Sequence, residues 1–193
     1  MNKIRTLDEQ ELIIVRELIK NPRLSDNKIS ERTGIPVKTV NRKRKILEDE
    51  GMLHYFTYLD NTSNGTASFT SRKMYVIKLR KGITRSEYIA SEVNDKPVEL
   101  HSKHILDAHL GEIDGQLALI IIIESRLESD ILEIFNAELV PQLKKKFGND
   151  AVDSVQVLQL SIPLRFLHNY QPLVNLAKGK IRKDWPDKNI FVQ

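Results

Sequence analysis

Cysteine is absent from all 193 residues. That excludes disulfide frameworks, thiol nucleophiles and thiolate metal sites together, and it fits a reducing, cytoplasmic setting. Glycine and proline are sparse, at eight and seven, so the composition is neither disordered nor fibrous. Long apolar runs are also missing. The longest, Leu117 to Ile123, has seven residues, where a membrane helix needs about 20. Its β-branched character predicts a strand buried on both faces. Met1 to Asp8 has no apolar stretch of the kind that makes a signal peptide. What remains is 40% hydrophobic and 29% charged, a globular composition of one or two domains.

Charge of one sign is scarce overall, with a net of only +4, but it is unevenly spread. Residues 1–60 carry +2, residues 61–160 carry −2 and residues 161–193 carry +4. Pro36 to Lys45 holds Lys38, Arg42, Lys43, Arg44 and Lys45 with no acid, and Glu48-Asp49-Glu50 follows. Such a block suits a phosphate backbone, which attracts local cations and releases counterions. The plainer alternative is a solvated helix face whose cations pair with the acids after it.

Local signals divide the first sixty residues into three helices and a strand. Thr6-x-x-Glu9 and Asp8-x-x-Glu11 both have capping-box spacing ahead of the stripe Leu12, Ile14, Val15, Leu18 and Ile19. Asn21-Pro22 ends that helix. Ser25 is a good N-cap for a short second helix, and Gly34 suits a left-handed position closing it. Pro36 is expected at the first position of a third helix, running from Val37 to about Glu50. Val40, Arg44 and Leu47 share its expected inner face, so either the Arg44 stem lies along the core with its head in solvent or the helix is rotated slightly. Met52 to Leu59 is β-rich and reads as a strand. Helix, short helix, tight turn, helix, strand is the plan of a winged helix-turn-helix.

The pattern Leu7-Asp8, Ile14-Val15, Leu18, Arg23-Leu24-Ser25, Ile29 to Pro36, Thr39-Val40, Leu47-Glu48 and Gly51-Met52-Leu53 resembles the N-terminal domain of the Lrp/AsnC (feast/famine) transcription regulators. The likeness spans about fifty positions without a gap. It implies a sequence-specific regulator that binds double-stranded DNA. By helix geometry, Val37, Lys38, Thr39, Asn41 and Arg42 are expected to meet base edges. Arg pairs best with guanine and Asn with adenine. Lys43 and Lys45 are expected on phosphates.

The second half has its own periodicities. Asn61 to Lys73, rich in Ser, Thr, Asn and Gly, reads as a linker. A strand is predicted over 74–79. Thr84-x-x-Glu87 then caps a helix stapled by Ile83 and Tyr88 and stopped by Asn94-Asp95-Lys96-Pro97. Strands over 105–110 and 117–123 flank a Gly/Asp-rich connection. Ser125-x-x-Glu128 is expected to cap a long helix that Pro141 kinks or divides, and a last strand is predicted over 152–160. The order β-α-β-β-α-β is a ferredoxin-like unit, so the expected class is α+β. The expected domains are a winged helix-turn-helix at 1–60, a linker at 61–73, a ferredoxin-like domain at 74–162 and a basic extension at 163–193. That extension, with Lys178, Lys180, Arg182, Lys183 and the sole tryptophan Trp185, lies outside the family pattern. It is expected either to pack back on the domain or to add phosphate contacts.

The ferredoxin-like unit is similar to the oligomerisation and effector-binding domain of the same family. The resemblance implies a homodimer or higher oligomer, with an amino acid or other small effector held near Gly111, Asp114 and Gly115. The alternative at those residues is an ordinary hairpin turn. His101, His104 and His109 lie close in sequence. On a strand 101 and 109 would share a face, with no metal-ligand spacing around them. No catalytic elbow, P-loop or dinucleotide fingerprint is visible, so no catalytic residue, cofactor, metal or membrane partner is expected. Two rival readings stay open. One is a siroheme-decarboxylase-like enzyme on the same two-domain plan, which would carry tetrapyrrole absorbance. The other is an oligomerisation or adaptor protein without DNA binding.

Overall fold

The computed structural model describes residues 5–62, 65–94 and 99–192. By backbone contacts the chain divides into two compact units, Met1–Thr57 with Ile162–Gln193, and Tyr58–Ser161.

The first unit opens on three helices, α1 (Glu9–Lys20), α2 (Asp26–Thr33) and α3 (Val37–Asp49). Asp8, rather than Thr6, is the N-cap of α1. Its carboxylate accepts from the Glu11 N–H at 2.9 Å, and Glu11 accepts from the Asp8 N–H at 3.0 Å, completing the box. Ser25 caps α2. Gly34 closes it at φ 73, a conformation open to glycine at little cost, and so turns the chain sharply into α3. Pro36 is the N-cap of α3 rather than its first residue. Ile14, Leu18, Leu24, Ile29, Ile35 and Val40 form one core, with Leu53 partly buried against it. Met52 to Leu59 forms no strand. Its first two N–H groups, of Met52 and Leu53, bond back to the Leu47 carbonyl, no described strand pairs with the segment, and β-rich composition without a partner does not make a strand.

The C-terminal extension belongs to this same unit. A two-residue pair, β5 (Leu176–Ala177) and β6 (Lys180–Ile181), lies against α1. Ile181 and Ile190 are buried. The Tyr170 hydroxyl donates to the Ile19 carbonyl at 3.1 Å, and Lys20 pairs with Asp187 at 2.9 Å.

The second unit is a four-stranded antiparallel sheet in the order β2-β3-β1-β4, from β1 (Ser71–Leu79), β2 (Ile105–Ile113), β3 (Gln116–Ser125) and β4 (Val152–Leu160). Helix α4 (Arg85–Asn94) starts with Thr84 and Glu87 in mutual capping contact. The expected stop at Asp95-Lys96-Pro97 lies outside the described residues. A short helix, α5 (Glu99–His104), precedes β2. After β3, α6 (Glu128–Glu133), a π-helical stretch (Ile134–Leu139) and α7 (Val140–Phe147) follow without a break. Ser125 ends β3 and is not the helix cap. Instead Asp130 accepts from the Leu127 N–H at 3.4 Å and from the Ser125 hydroxyl at 3.2 Å. Pro141 lacks the N–H that would bond one turn back, and the helix widens just before it, the Val140 N–H reaching the Phe135 carbonyl.

One sheet face is covered by helices. Tyr75 stacks on Phe135 with centroids 4.1 Å apart, and Tyr88 on Phe147 at 5.6 Å. Ile77, Leu119, Ile121 and Ile123 fill the space between. On the opposite face Met74 lies across from Ile122 and Leu158, and Val76 across from Ile120. Leu158 there is 48% exposed. At one end of this face Arg72 and Glu124 form a buried ion pair at 2.9 Å.

Candidate nucleic-acid interface

Helix α3 carries its cations on two faces with different fates. Lys38, Arg42 and Lys45 are exposed. They recur at spacings of four and three, so they share one face. Among the described residues they make no ion pair, and α3 has no acid in its first turn. Val37 is exposed at the start of the same helix and Thr39 is half-buried. Asn41 is exposed, and its amide donates to Asp26 at 2.9 Å. Val37, Lys38 and Asn41 border an open depression whose other wall is Ser25, Asp26 and Asn27 at the start of α2.

The other face is internal. Lys43 is 7% exposed and pairs with Asp8, with Glu11 at 3.9 Å. This corrects the expectation that Lys43 grips a phosphate. The inner stripe of α3 is Val40, Lys43 and Leu47 rather than Val40, Arg44 and Leu47. The α1 capping box supplies the acids that neutralise Lys43, and Arg5 adds a second cation to Glu11 at 2.8 Å. The Lys43 ammonium and the Glu11 N–H together hold the Asp8 carboxyl below its usual range.

Arg44 does not end in open solvent either. It donates to the Leu24 carbonyl and to Asp26, both at 3.1 Å, pairs with Glu48 at 2.9 Å, and lies over the Tyr55 ring at 5.3 Å. Tyr55 donates to Glu48 at 2.9 Å. Burial and the Glu48 carboxylate push its phenol up to about 12. Arg44 is thus a clamp joining α3, the start of α2 and the segment after α3. Its partners Asp26 and Leu24 are distant in sequence, so nothing local announced them.

The effector candidates fall at a hairpin. Asp114 and Gly115 have φ of 50 and 72 and form the two-residue turn between β2 and β3. These positive φ values are what a tight hairpin of the right twist requires. Gly111 lies within β2, not in the turn. The Asp114 carboxylate accepts from Lys78 at 3.1 Å. The histidines do not share one strand. The His101 side chain is outside the described residues. His104 ends α5, with Nδ1 3.0 Å from the Glu124 carbonyl, and His109 lies 3.0 Å from Asp107. Among the described residues no three His, Asp or Glu side chains gather to hold a metal ion. No described helix is long and apolar enough to cross a membrane.

A helix, a glycine turn and a cation-bearing helix on one small core define a helix-turn-helix module. Residues 7–53 match the family described as winged helix-turn-helix DNA-binding. No curated protein matches the chain. Solved structures do. A transcriptional regulator of Neisseria meningitidis in complex with L-Met is 19% identical, with a TM-score of 0.61 over 83% of this chain and 94% of that one. AsnC of Escherichia coli is 13% identical, with a TM-score of 0.60 over 84% and 97%. A Pyrococcus furiosus transcriptional regulatory protein of the AsnC family is 17% identical, with a TM-score of 0.54 over 80% and 89%. The chain has the fold of the Lrp/AsnC regulators, the α+β plan expected from its residues.

Proposed function

We propose that the protein is a sequence-specific DNA-binding transcription regulator of the Lrp/AsnC kind, acting as a homodimer or larger assembly. The observation that carries this is the outward row of α3: exposed cations, unpaired among the described residues, on a helix held by a tight turn, inside a segment that matches a DNA-binding family. In the major groove, Arg42 makes the paired hydrogen bonds that suit guanine, and Asn41 exchanges Asp26 for an adenine edge. Val37 and Thr39 contact methyl groups or backbone. Lys38 contacts a base or phosphate, and Lys45 holds a phosphate and so fixes register. Lys43 has no place in this interface.

The apolar face of the sheet, with Met74, Val76, Ile120, Ile122 and Leu158, supports pairing with a second copy, since one side of an antiparallel sheet this apolar needs cover. Two copies related by a two-fold axis present two α3 helices to one duplex. Selection from a random pool of duplexes should therefore enrich a sequence with two related half-sites. Recovery of an unenriched pool, or a stable monomer in sedimentation at micromolar concentration, contradicts the proposal.

The hairpin at Asp114-Gly115 is the proposed effector element, binding an amino acid by its ammonium and carboxylate. It has the two backbone positions of positive φ and an exposed carboxylate that such a ligand can engage. A thermal-shift panel of amino acids tests it, with Asp114→Ala expected to abolish any shift; a shift that survives this change assigns the ligand elsewhere.

A further inference from the structure

Building on the DNA-binding reading above, we propose that the C-terminal hairpin β5–β6 is a second phosphate-binding element of the helix-turn-helix unit, gripping the backbone of the duplex that α3 reads.

The first observation is a deficit. The segment expected to form the wing, Met52 to Leu59, contains no lysine or arginine and forms no strand. The second is the hairpin itself. Lys178 and Gly179 form its turn with φ of 51 and 74, the paired left-handed geometry that favours Asn, Asp or Gly at the first position. A lysine there holds a left-handed conformation that glycine takes at little cost and other residues disfavour. A side chain that breaks the local rule at an exposed tip suggests a role outside folding.

The third observation is charge. Lys178, Lys180, Lys183 and Lys188 are exposed, and among the described residues none has an ion-pair partner. The two acids of the stretch are already engaged: Asp184 pairs with Arg182 at 2.5 Å, and Asp187 with Lys20 at 2.9 Å. The uncompensated charge is therefore entirely positive. The fourth is attachment. Asn175 is 1% exposed, donating to the Asn169 carbonyl at 2.8 Å and accepting from the Gln171 N–H at 2.9 Å. With Tyr170 on Ile19 and Asp187 on Lys20, this fastens the hairpin to α1, in the unit that holds α3. Cations fixed in place lose less freedom on meeting phosphates than cations on a loose tail.

The test uses the full chain with Lys178, Lys180, Lys183 and Lys188 all changed to Gln. A control changes the exposed Lys81, Lys103, Lys144 and Lys145 of the other unit to Gln. Affinity for a selected duplex and for a scrambled one is measured across salt concentration. Every phosphate that is no longer neutralised lowers the slope of log affinity against log salt by about 0.9. The hairpin variant should show a slope smaller by about 2 or more and a low-salt affinity weaker by about tenfold or more, equally on both duplexes, while the control keeps the wild-type slope. A hairpin variant with the wild-type slope overturns the inference, including when its melting temperature falls, which would make the hairpin a structural staple. An equal loss in the control also overturns it, since net charge alone then explains the change. Wild-type protein that binds neither duplex overturns the DNA-binding reading itself.

Discussion

The two faces of α3 have similar sequence chemistry and opposite surroundings. Outward, Lys38, Arg42 and Lys45 have no acidic partner among the described residues. Inward, Lys43 is buried against Asp8 and Glu11, and Arg44 is held by Asp26, Glu48 and Tyr55. A run of positive charge is therefore not a footprint as such. What separates a binding cation from a structural one is whether the fold has already brought an acid to it. Here the acids come from the start of α1, from the start of α2 and from Glu48 of α3 itself, and among the described residues none of them pairs with Lys38, Arg42 or Lys45.

The largest expected effect removes the outward face. Changing Lys38, Arg42 and Lys45 together to Ala should weaken binding to the selected duplex by about 100-fold or more, since a base-reading Arg alone is worth about 1–3 kcal/mol. Thermal stability should stay within about 0.5 kcal/mol of wild type. A large fall in melting temperature would erase the distinction between the faces.

Next comes the inward face. Lys43→Ala leaves Glu11 buried with one cation fewer and should cost about 1–3 kcal/mol of stability, read by urea denaturation. Lys43→Met, which keeps the buried stem and removes the charge, should recover part of that loss. Neither variant should alter the salt slope of DNA binding. A reduced slope would return Lys43 to the interface.

The smallest effect is on pH. The folded Asp8 carboxyl sits below its ordinary value of 3.8. Its contribution is therefore complete above that value and is lost as pH falls from there through the lower folded value. Asp8 is largely solvated, so the contribution is about 0.5 kcal/mol or less. Asp8→Asn keeps the helix cap, and its urea midpoint should decline less on acidification than that of wild type. Parallel declines would mean that the Lys43 pair contributes nothing.

Strongly periodic segments were legible from the residues. The stripe of α1, the Ser25 cap, the Gly34 turn and the β3 strand each combine a local signal with a matching tertiary role, although Ile120 and Ile122 leave one face of β3 only half-buried rather than buried on both faces. The phase of α3 was not. Val40-Lys43-Leu47 and Val40-Arg44-Leu47 fit one helical period equally well, and the deciding partners, Asp8 and Glu11, lie more than thirty residues away. The missing strand at 52–59 failed for a related reason, because strand formation depends on a partner that composition cannot supply. The β5–β6 hairpin was hidden by its turn, since Lys-Gly is a weaker signal than Asn-Gly. At the effector candidates, Asp114-Gly115 was readable as a turn, but the Lys78 contact to Asp114 was not.

Lysine acylation read by mass spectrometry, with and without the selected duplex, tests the division of α3 most directly. In the free protein Lys38 and Lys45 should react readily and Lys43 slowly. With duplex bound, Lys38 and Lys45 should become protected while Lys43 stays as it was. Lys38 and Lys45 reacting equally in both states would contradict the account.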